Sequence, residues 1–296
     1  MILILSDEDD FSTNHVIDWI SFWQVKFIRI NRTDKIIISW IKFNHSDPID
    51  FELIMNGNRI KYSEIDSFWY RRGYLVTDQF EITESFLENP HNENILEFFR
   101  EEISDLVFLI YKLIELKNGI GSFYDNDINK LWVLIKARAV GLQIPESQIL
   151  TNISQIDNKS KKYITKGIRH GLNFEDDKNH FGSYTEEINI EKIPSEDFFP
   201  SLLQLKLDKF FELRIFYLRK TFYTEAIFSQ NDPKTSTDFR KYNHIKPNRT
   251  VRFDLPQEIK TKLINLMENL RMESGSIDMV YTKSGDYVFL EVNPVG

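Results

Sequence analysis

The chain has 296 residues, enough for two or three compact lobes, and its content of 42% hydrophobic and 28% charged residues is that of an ordinary globular protein. Its net charge of -8 argues against a general nucleic-acid binder, and the absence of cysteine excludes disulfides, zinc-thiolate sites and a cysteine nucleophile. The N-terminus lacks the basic region of a signal peptide, and no apolar run approaches the roughly 18 residues of a membrane span. We therefore expect a cytoplasmic protein with neither a nucleic-acid nor a membrane partner.

The N-terminal part reads as a β-α-β unit followed by further strands and a long helix. Ile2–Leu5 is an apolar run typical of a buried strand, residues 10–14 offer helix N-caps, and Gln24–Ile30 predicts a second strand. Further strands are predicted at Ile36–Phe43, Phe51–Met55 and Ser67–Arg72, and a helix at Asn94–Leu116. Asn118-Gly119 is typical of a helix C-cap, so we place the first domain at residues 1–118.

Residues 119–296 form the second predicted domain, so the fold class is α/β. Helices are expected at Asn126–Val140 and from Asp254 to about Met272, and loose polar segments at Glu175–Asp197 and Ser229–Arg249. Strands are expected at Gln148–Thr151, Tyr163–Lys166, Leu202–Leu207, Glu212–Leu218 and Phe222–Phe228, with a final hairpin of Ser276–Thr282 and Tyr287–Asn293.

The final hairpin carries the most informative polar residues. If Ser284-Gly285 forms a two-residue loop, Asp278 and Glu291 face each other, and Asn293 lies on the same face. Facing carboxylates repel unless a cation lies between them, and an all-oxygen ligand set suits Mg²⁺. A solvated hairpin face is the commoner fate of such a pair, but these carboxylates lie inside apolar strands. We therefore predict a magnesium site at Asp278, Glu291 and Asn293.

Several cationic side chains are candidate phosphate ligands. Lys130 begins a predicted helix, and Lys166 ends a predicted strand before Gly167. For either lysine taken alone, a surface charge is the favoured explanation. Arg214 offers a planar donor fork to phosphate, with a cross-strand pair to Glu225 as the alternative. The extended segment Gln204–Leu207 could pair its backbone with an adenine edge, or be an ordinary core strand.

Taken in order, these features resemble the ATP-grasp superfamily. The resemblance extends from Asn129-Lys130 and Lys166, through Gln204 and Glu212-Leu213-Arg214, to Asp278 and Glu291-Val292-Asn293-Pro294. It implies an ATP-grasp fold with an N-terminal Rossmann-like pre-ATP-grasp domain. It also implies that Lys130, Lys166, Gln204, Lys206 and Leu207 bind ATP, and that Asp278, Glu291 and Asn293 bind Mg²⁺.

A narrower resemblance is to the grasp-with-spasm and microviridin-type peptide maturases, or graspetide synthetases. It rests on Phe68-Trp69-Tyr70-Arg71-Arg72-Gly73, Ser229-Gln230 and Asp238-Phe239-Arg240-Lys241-Tyr242. It implies that Asp or Glu side chains of a precursor peptide, composed of a leader and an acidic core, are phosphorylated and joined to Ser, Thr or Lys side chains as macrocyclic esters or amides. Arg214 and Arg240 would then stabilise the transferring phosphoryl group.

The resemblance leaves several alternatives open. Either Arg71 or Arg72 would hold an acidic group of the peptide, because adjacent strand residues point to opposite faces, and a surface ion pair explains them almost as well. The loop after Lys166 lacks the proline found in many ATP-grasp enzymes, and the family continues beyond the Asn-Pro-Val-Gly with which this chain ends. The family resemblance suggests a homodimer. Rival functions are a ligase that adds an amino acid to a protein or peptide, and an inactive peptide-binding module.

Overall fold

The structure of the chain is a computed structural model that describes residues 1–79, 86, 92–123, 128–169, 173–175, 180–182, 185–193, 195–230 and 248–294. The chain divides into two compact units, Met1–Asn126 and Asp127–Pro294. The first unit extends beyond residue 118 because Asn118–Ile120 form an edge strand of its main sheet.

The main sheet of the first unit is entirely parallel. It contains β1 (Ile2–Ser6), β2 (Phe27–Asn31), β6 (Ser67–Tyr70) and β8 (Asn118–Ile120) in the order β2-β1-β6-β8. Helix α1 (Phe11–Phe22) connects β1 to β2 and begins where the side chain of Asp10 accepts a hydrogen bond from the backbone N–H of Thr13. The predicted β-α-β opening is therefore confirmed.

A second sheet and a long helix complete the first unit. The sheet contains β3 (Lys35–Lys42), β4 (Asp50–Met55), β5 (Asn58–Lys61) and β7 (Val76–Thr77). Helix α2 (Asn92–Glu115) follows, and the predicted C-cap at Asn118-Gly119 is wrong, because these residues belong to β8. Gly119 is required there for packing: a Cβ atom would lie 2.1 Å from the ring of Phe68.

The second unit contains two antiparallel sheets and a small hairpin. The first sheet has the order β13-β10-β14-β9 and the other has the order β17-β16-β15-β18-β19. The strands are β9 (Ser147–Asn152), β10 (Tyr163–Thr165), β11 (Asn173–Glu175), β12 (His180–Gly182), β13 (Glu186–Ile188), β14 (Asp197–Leu205), β15 (Lys209–Leu218), β16 (Thr221–Phe228), β17 (Arg249–Arg252), β18 (Ser274–Thr282) and β19 (Tyr287–Asn293). Strands β12 and β13 lie in the segment Glu175–Asp197, predicted to be a loose polar region, so that prediction is wrong for these residues.

Two helices cover one face of the five-stranded sheet. Helices α3 (Lys130–Ala139) and α4 (Gln257–Asn269) enclose a core with alternate residues of the strands, including Leu213, Ile215 and Ile277. Because side chains alternate along a strand, the residues between these lie on the other face. That second face carries Glu212, Arg214 and Asp278.

None of the helices in the described ranges combines the length and apolarity needed to span a membrane.

Candidate functional site

The terminal hairpin places Asp278 directly opposite Glu291, but by a different route from the predicted one. Tyr281 pairs with Tyr287, so the predicted two-residue loop is wrong, and Gly285 adopts a φ of +92° within the observed turn. A β-bulge then adds one residue, because Met279 pairs with Phe289 whereas Asp278 pairs with Glu291. The two shifts cancel, and the predicted pairing of Asp278 with Glu291 is confirmed.

Asn293 lies on the same face as this pair. It is opposite Ser276, two residues beyond Glu291, and its Nδ2 atom lies 3.5 Å from Oε1 of Glu291. One face of the hairpin thus presents two carboxylates and an amide oxygen. In the described part of the chain no group of three His, Cys, Asp or Glu side chains is close enough to hold a metal. Magnesium commonly takes one or two carboxylates, with its other ligands from phosphate and water, so the donor set fits this ion.

Arg214 compensates the charge of Asp278. Its Nη1 atom donates to both carboxylate oxygens of Asp278, at 2.9 and 3.0 Å. The alternative partner, Glu225, is also opposite Arg214, and the turn at Arg219-Lys220 that sets this pairing is present. The guanidinium nevertheless bonds to Asp278, across the neighbouring strand.

Two lysines distant in sequence converge on Glu291. Lys130 is the first residue of α3, whose N-cap Asn129 accepts hydrogen bonds from two backbone N–H groups. Its Nζ atom lies 3.1 Å from Oε2 of Glu291, and Nζ of Lys166, just after β10, lies 3.6 Å from the same oxygen. The Glu291 side chain is only 10% exposed, so the ammonium groups relieve the repulsion expected between the facing carboxylates.

Lys166 and Glu291 border a cleft inside the second unit, whereas Lys130 is not among the residues that line it. Of the predicted ATP ligands, its walls include Lys166, Gln204, Lys206 and Leu207. Arg214, Asp278 and Glu291 also line it. The nonpolar walls include Ile164, Ile227, Val280 and Leu290. An apolar space that ends in cations and carboxylates can hold a nucleobase at one end and phosphates at the other.

The predicted adenine segment borders this cleft at the end of β14. Gln204 is 2% exposed, and its amide donates to Oγ of Ser147 at 2.9 Å. Lys206 follows the strand, with its Nζ atom 2.5 Å from Oε2 of Glu187. The hydrogen bond from Lys206 holds the pKa of the Glu187 carboxyl below its usual range.

One group in the cleft was not predicted from the sequence. Nζ of Lys209 lies 2.5 Å from Oε1 of Glu212, which also accepts a hydrogen bond from Oγ of Ser229 at 3.2 Å. In a regular strand, residues three apart point to opposite faces. A bulge between Lys209 and Phe211 shifts the register by one residue and brings Lys209 to the side of Glu212. No simple alternation pattern could have revealed this contact.

The other predicted site residues belong to the first unit or lie outside the described residues. Nε atoms of Arg71 and Arg72 lie 3.3 and 3.7 Å from Oδ2 of Asp10, within the first unit. Arg71 is 9% exposed, so its ion pair with Asp10 is buried, whereas Arg72 is 51% exposed and matches the surface ion pair given as the alternative. Arg240 lies outside the described residues.

No protein-family model matches the chain, and no curated protein matches it. Among solved structures, the chain is similar to a RiPP-associated ATP-grasp ligase of Chryseobacterium gregarium, determined with ADP and a leader and core peptide. The TM-score is 0.80 and the identity 23%, and the similarity covers 100% of this chain and 89% of that chain. The macrocyclase MdnC of Microcystis aeruginosa MRC, bound to precursor peptide MdnA, is similar with a TM-score of 0.72 and 22% identity. The similarity covers 100% of this chain and 92% of MdnC.

A more distant similarity extends to a different ligase. D-alanyl-alanine synthetase A of Vibrio cholerae gives a TM-score of 0.56 and 13% identity over 99% of this chain and 88% of that chain. These structures are similar along essentially the whole length of the chain. The chain therefore has the ATP-grasp fold, built from several sheets in a mixed α/β architecture.

Proposed function

We propose that this protein is an ATP-dependent ligase that phosphorylates Asp or Glu side chains of a ribosomal precursor peptide and closes ester or amide macrocycles with Ser, Thr or Lys side chains. One observation carries the proposal. The facing carboxylates of Asp278 and Glu291 lie at the base of one cleft, with Lys130, Lys166 and Arg214 all within 3.6 Å of them. A surface of alternating charge at the end of an apolar cleft suits a polyphosphate with its cation.

The cationic side chains have partners that a nucleotide complex would change. Lys130 and Lys166 both neutralise Glu291, and Arg214 neutralises Asp278. We assign Asp278, Glu291 and Asn293 to Mg²⁺, and Lys130 and Lys166 to the phosphates. When bound, Mg²⁺ would neutralise the negative charge that develops on the phosphate oxygens during transfer. Each lysine would then exchange a carboxylate partner for a phosphate oxygen, so that charge in the cleft stays balanced.

The proposed position of adenine in the cleft is based on the residues that line it. Gln204, Lys206 and Leu207 connect the two sheets of the second unit, and nonpolar side chains border the space beside them. We assign the backbone of this segment to the adenine edge. Lys209, held by Glu212, borders the same space and is a further candidate for the ribose or the phosphates.

The chemical step requires no nucleophile from the protein. An oxygen of the substrate carboxylate displaces ADP from the γ-phosphorus of ATP, giving an acyl phosphate. The amine or hydroxyl of a second side chain attacks the acyl carbon, inorganic phosphate leaves, and the nucleophile loses its proton to solvent. Arg214 can stabilise the additional negative charge on the phosphoryl oxygens, and Arg240 is assigned the same role from the family resemblance.

The peptide substrate is supported by the similar structures. The ligase of Chryseobacterium gregarium was determined with a leader and core peptide, and MdnC with its precursor. We propose a leader-plus-acidic-core peptide for this chain as well. We further propose that the first unit, Met1–Asn126, is the pre-ATP-grasp domain predicted at residues 1–118, and that the second unit is the ATP-grasp domain predicted at residues 119–296. We also propose that the enzyme acts as a homodimer in the cytoplasm.

The test is the reaction itself. A short acidic peptide encoded beside this chain's gene would be incubated with the enzyme, ATP and Mg²⁺, and its mass measured. We expect the loss of one water per ring, and no reaction with Asp278→Asn or Glu291→Gln. A gain of mass by one amino acid would indicate a different ligase, and peptide binding without ATP turnover would indicate an inactive binding module.

A further inference from the structure

One row of charged residues crosses all five strands of the larger sheet. The register of neighbouring strands aligns Arg252, Glu225, Arg214, Asp278 and Glu291 side by side. Asp278 and Glu291 are the candidate metal ligands at one end. Neighbouring strands are about 4.8 Å apart, so Glu225 lies one strand beyond Arg214 and Arg252 lies two. The row therefore continues past the proposed phosphoryl-transfer residues toward the strand β17 edge.

An aromatic pair occupies the next position along the same face. Phe216 is opposite Tyr223, and their ring centroids are 6.2 Å apart at an angle of 38°. Phe216 follows Arg214 by two residues, so both side chains lie on the face away from the helices. Phe216 is 40% exposed and Tyr223 is 58% exposed, although the neighbouring Ile215 and Tyr217 are buried in the core on the other face.

The charged residues beside this pair form no ion pair within the described part of the chain. Glu225 and Arg252 are both exposed. Within the described ranges, no ion pair within 4 Å involves either of them, although they are directly opposite in the register. We call Phe216, Tyr223, Glu225 and Arg252 the acceptor strip. It presents two open rings, one carboxylate and one guanidinium next to the phosphoryl-transfer row.

From this arrangement, and resting on the proposed function, we infer that the acceptor strip binds the segment of the peptide core that carries the attacking Ser, Thr or Lys side chain. The rings hold the segment by contact, Arg252 pairs with an acidic residue of the core, and Glu225 accepts a hydrogen bond from the attacking N–H or O–H group.

Position favours this segment over the leader. Ring closure requires the nucleophile to meet a carbonyl activated near Arg214 and Asp278. The strip begins about 4.8 Å from Arg214 at Glu225 and about 7 Å from it along the strand at Phe216. An extended peptide spans about 3.4 Å per residue, so the strip begins about one to two residues from the reacting carbonyl. A leader recognised remotely has no need of that proximity.

The charges fit the same occupant. Arg252 is a cation for an acidic core, and its planar fork can take a carboxylate through two hydrogen bonds. Glu225 is an anion and favours a hydrogen-bond donor or a cation. In the register it lies between Arg214 and Arg252. A segment that alternates acidic residues with amine or hydroxyl residues would match these charges, whereas a uniformly acidic segment would be repelled at Glu225.

The experiment measures binding and ring formation separately. The probe is a short fluorescein-labelled synthetic peptide of Glu, Thr and Lys residues, titrated with the full chain in the presence of AMPPNP and Mg²⁺ and followed by fluorescence anisotropy. For Tyr223→Ala and for Arg252→Gln we expect the probe Kd to rise about five- to tenfold, the effect of losing one well-used interface side chain. ADP affinity, measured by calorimetry, should stay unchanged.

Matched controls distinguish recognition from general surface effects. Phe199→Ala removes an exposed ring, 84% accessible on β14, and Arg138→Gln removes an exposed arginine of α3. Neither control should alter the probe Kd. A second probe with Gln in place of Glu should bind wild type and Arg252→Gln equally, because the arginine then has no carboxylate to recognise.

The outcomes also separate this inference from the proposed function. If the strip variants bind the probe as the controls do, or the wild type does not bind it, the acceptor strip is refuted even when a precursor peptide is cyclised. If the probe binds through the strip but no peptide is cyclised by ATP, the proposed function fails and the binding surface remains.

Discussion

The replacement Glu291→Gln should tighten nucleotide binding without Mg²⁺ and reduce the gain in affinity that Mg²⁺ provides. Glu291 lies 3.1 Å from Nζ of Lys130 and 3.6 Å from Nζ of Lys166. At an effective dielectric constant near 20, each attraction is worth about 5 kcal/mol before the cost of desolvation. Because all three side chains are less than a quarter exposed, that cost offsets most of the attraction, and a net value of about 1–3 kcal/mol for the cluster is realistic.

This carboxylate competes with phosphate for the two lysines when no metal is present. In EDTA, the neutral amide of the Glu291→Gln variant releases both ammonium groups, so we expect ADP to bind the variant about five- to tenfold more tightly than it binds the wild type, or roughly 1–1.4 kcal/mol. With Mg²⁺, wild-type affinity should rise because Glu291 then binds the metal. The variant should gain about tenfold less from Mg²⁺, because a neutral amide barely reduces the metal's charge.

Isothermal titration calorimetry with ADP, in EDTA and in Mg²⁺, measures both effects. Glu268→Gln is the matched control, since it removes a carboxylate that lies 2.8 Å from Lys220 at the surface. It should leave both affinities unchanged. If Glu291→Gln keeps the full Mg²⁺ enhancement, or weakens ADP binding in EDTA, Glu291 is not a metal ligand that competes with phosphate for the lysines.

Four further replacements test individual contacts. Lys130→Met and Lys166→Met should each weaken ADP binding about tenfold, or roughly 1.4 kcal/mol. Asp10→Asn keeps an N-cap but removes the carboxylate paired with Arg71, so urea unfolding should show the first unit destabilised by about 1–3 kcal/mol at pH 7. Gly73→Ala should destabilise the same unit by more than about 2 kcal/mol, because its Cβ would lie 2.4 Å from the backbone nitrogen of Ser6.

The pH dependence of Asp10 gives that variant a second readout. Burial raises the pKa of Asp10, but the hydrogen bond from the Thr13 N–H and the charge of Arg71 outweigh it, so the pKa is lowered overall. Its stabilising contribution is complete above the unfolded value of about 4 and is lost as the pH falls through the lower folded value. Wild-type melting temperature should therefore drop more steeply than that of Asp10→Asn below about pH 4. Equal slopes would contradict this assignment.

Each control for the lysine and glycine variants lies in the same unit as the residue it matches. Arg138→Gln removes an exposed cation from the helix that begins with Lys130, and should leave ADP affinity unchanged. Gly57→Ala meets no atom within 4 Å but has a φ of +77°, so we expect a loss of only about 1 kcal/mol. A Gly73 variant that is no less stable than the Gly57 variant would show that the backbone near Ser6 adapts.

The sequence by itself determined the elements whose residues are close along the chain. Short apolar runs identified β4, β15, β16, β18 and β19, because residues that pack well in a sheet are concentrated there. Asp10 and Asn129 identified two helix starts, because their side chains satisfy backbone N–H groups of the first turn. Asn118-Gly119 misled the prediction, because a glycine required by close packing has the same appearance as one required by a helix end.

Only the tertiary structure decided how the site is assembled. The bulges at Phe210 and Leu290 each shift a strand by one residue, and no residue type in the sequence marks them. One brings Lys209 beside Glu212, and the other restores the pairing of Asp278 with Glu291 after a loop of unpredicted length. Lys130 and Lys166 meet at Glu291 although 161 residues separate Lys130 from it. That convergence depends on how the helix and both sheets of the second unit pack, which local sequence patterns do not encode.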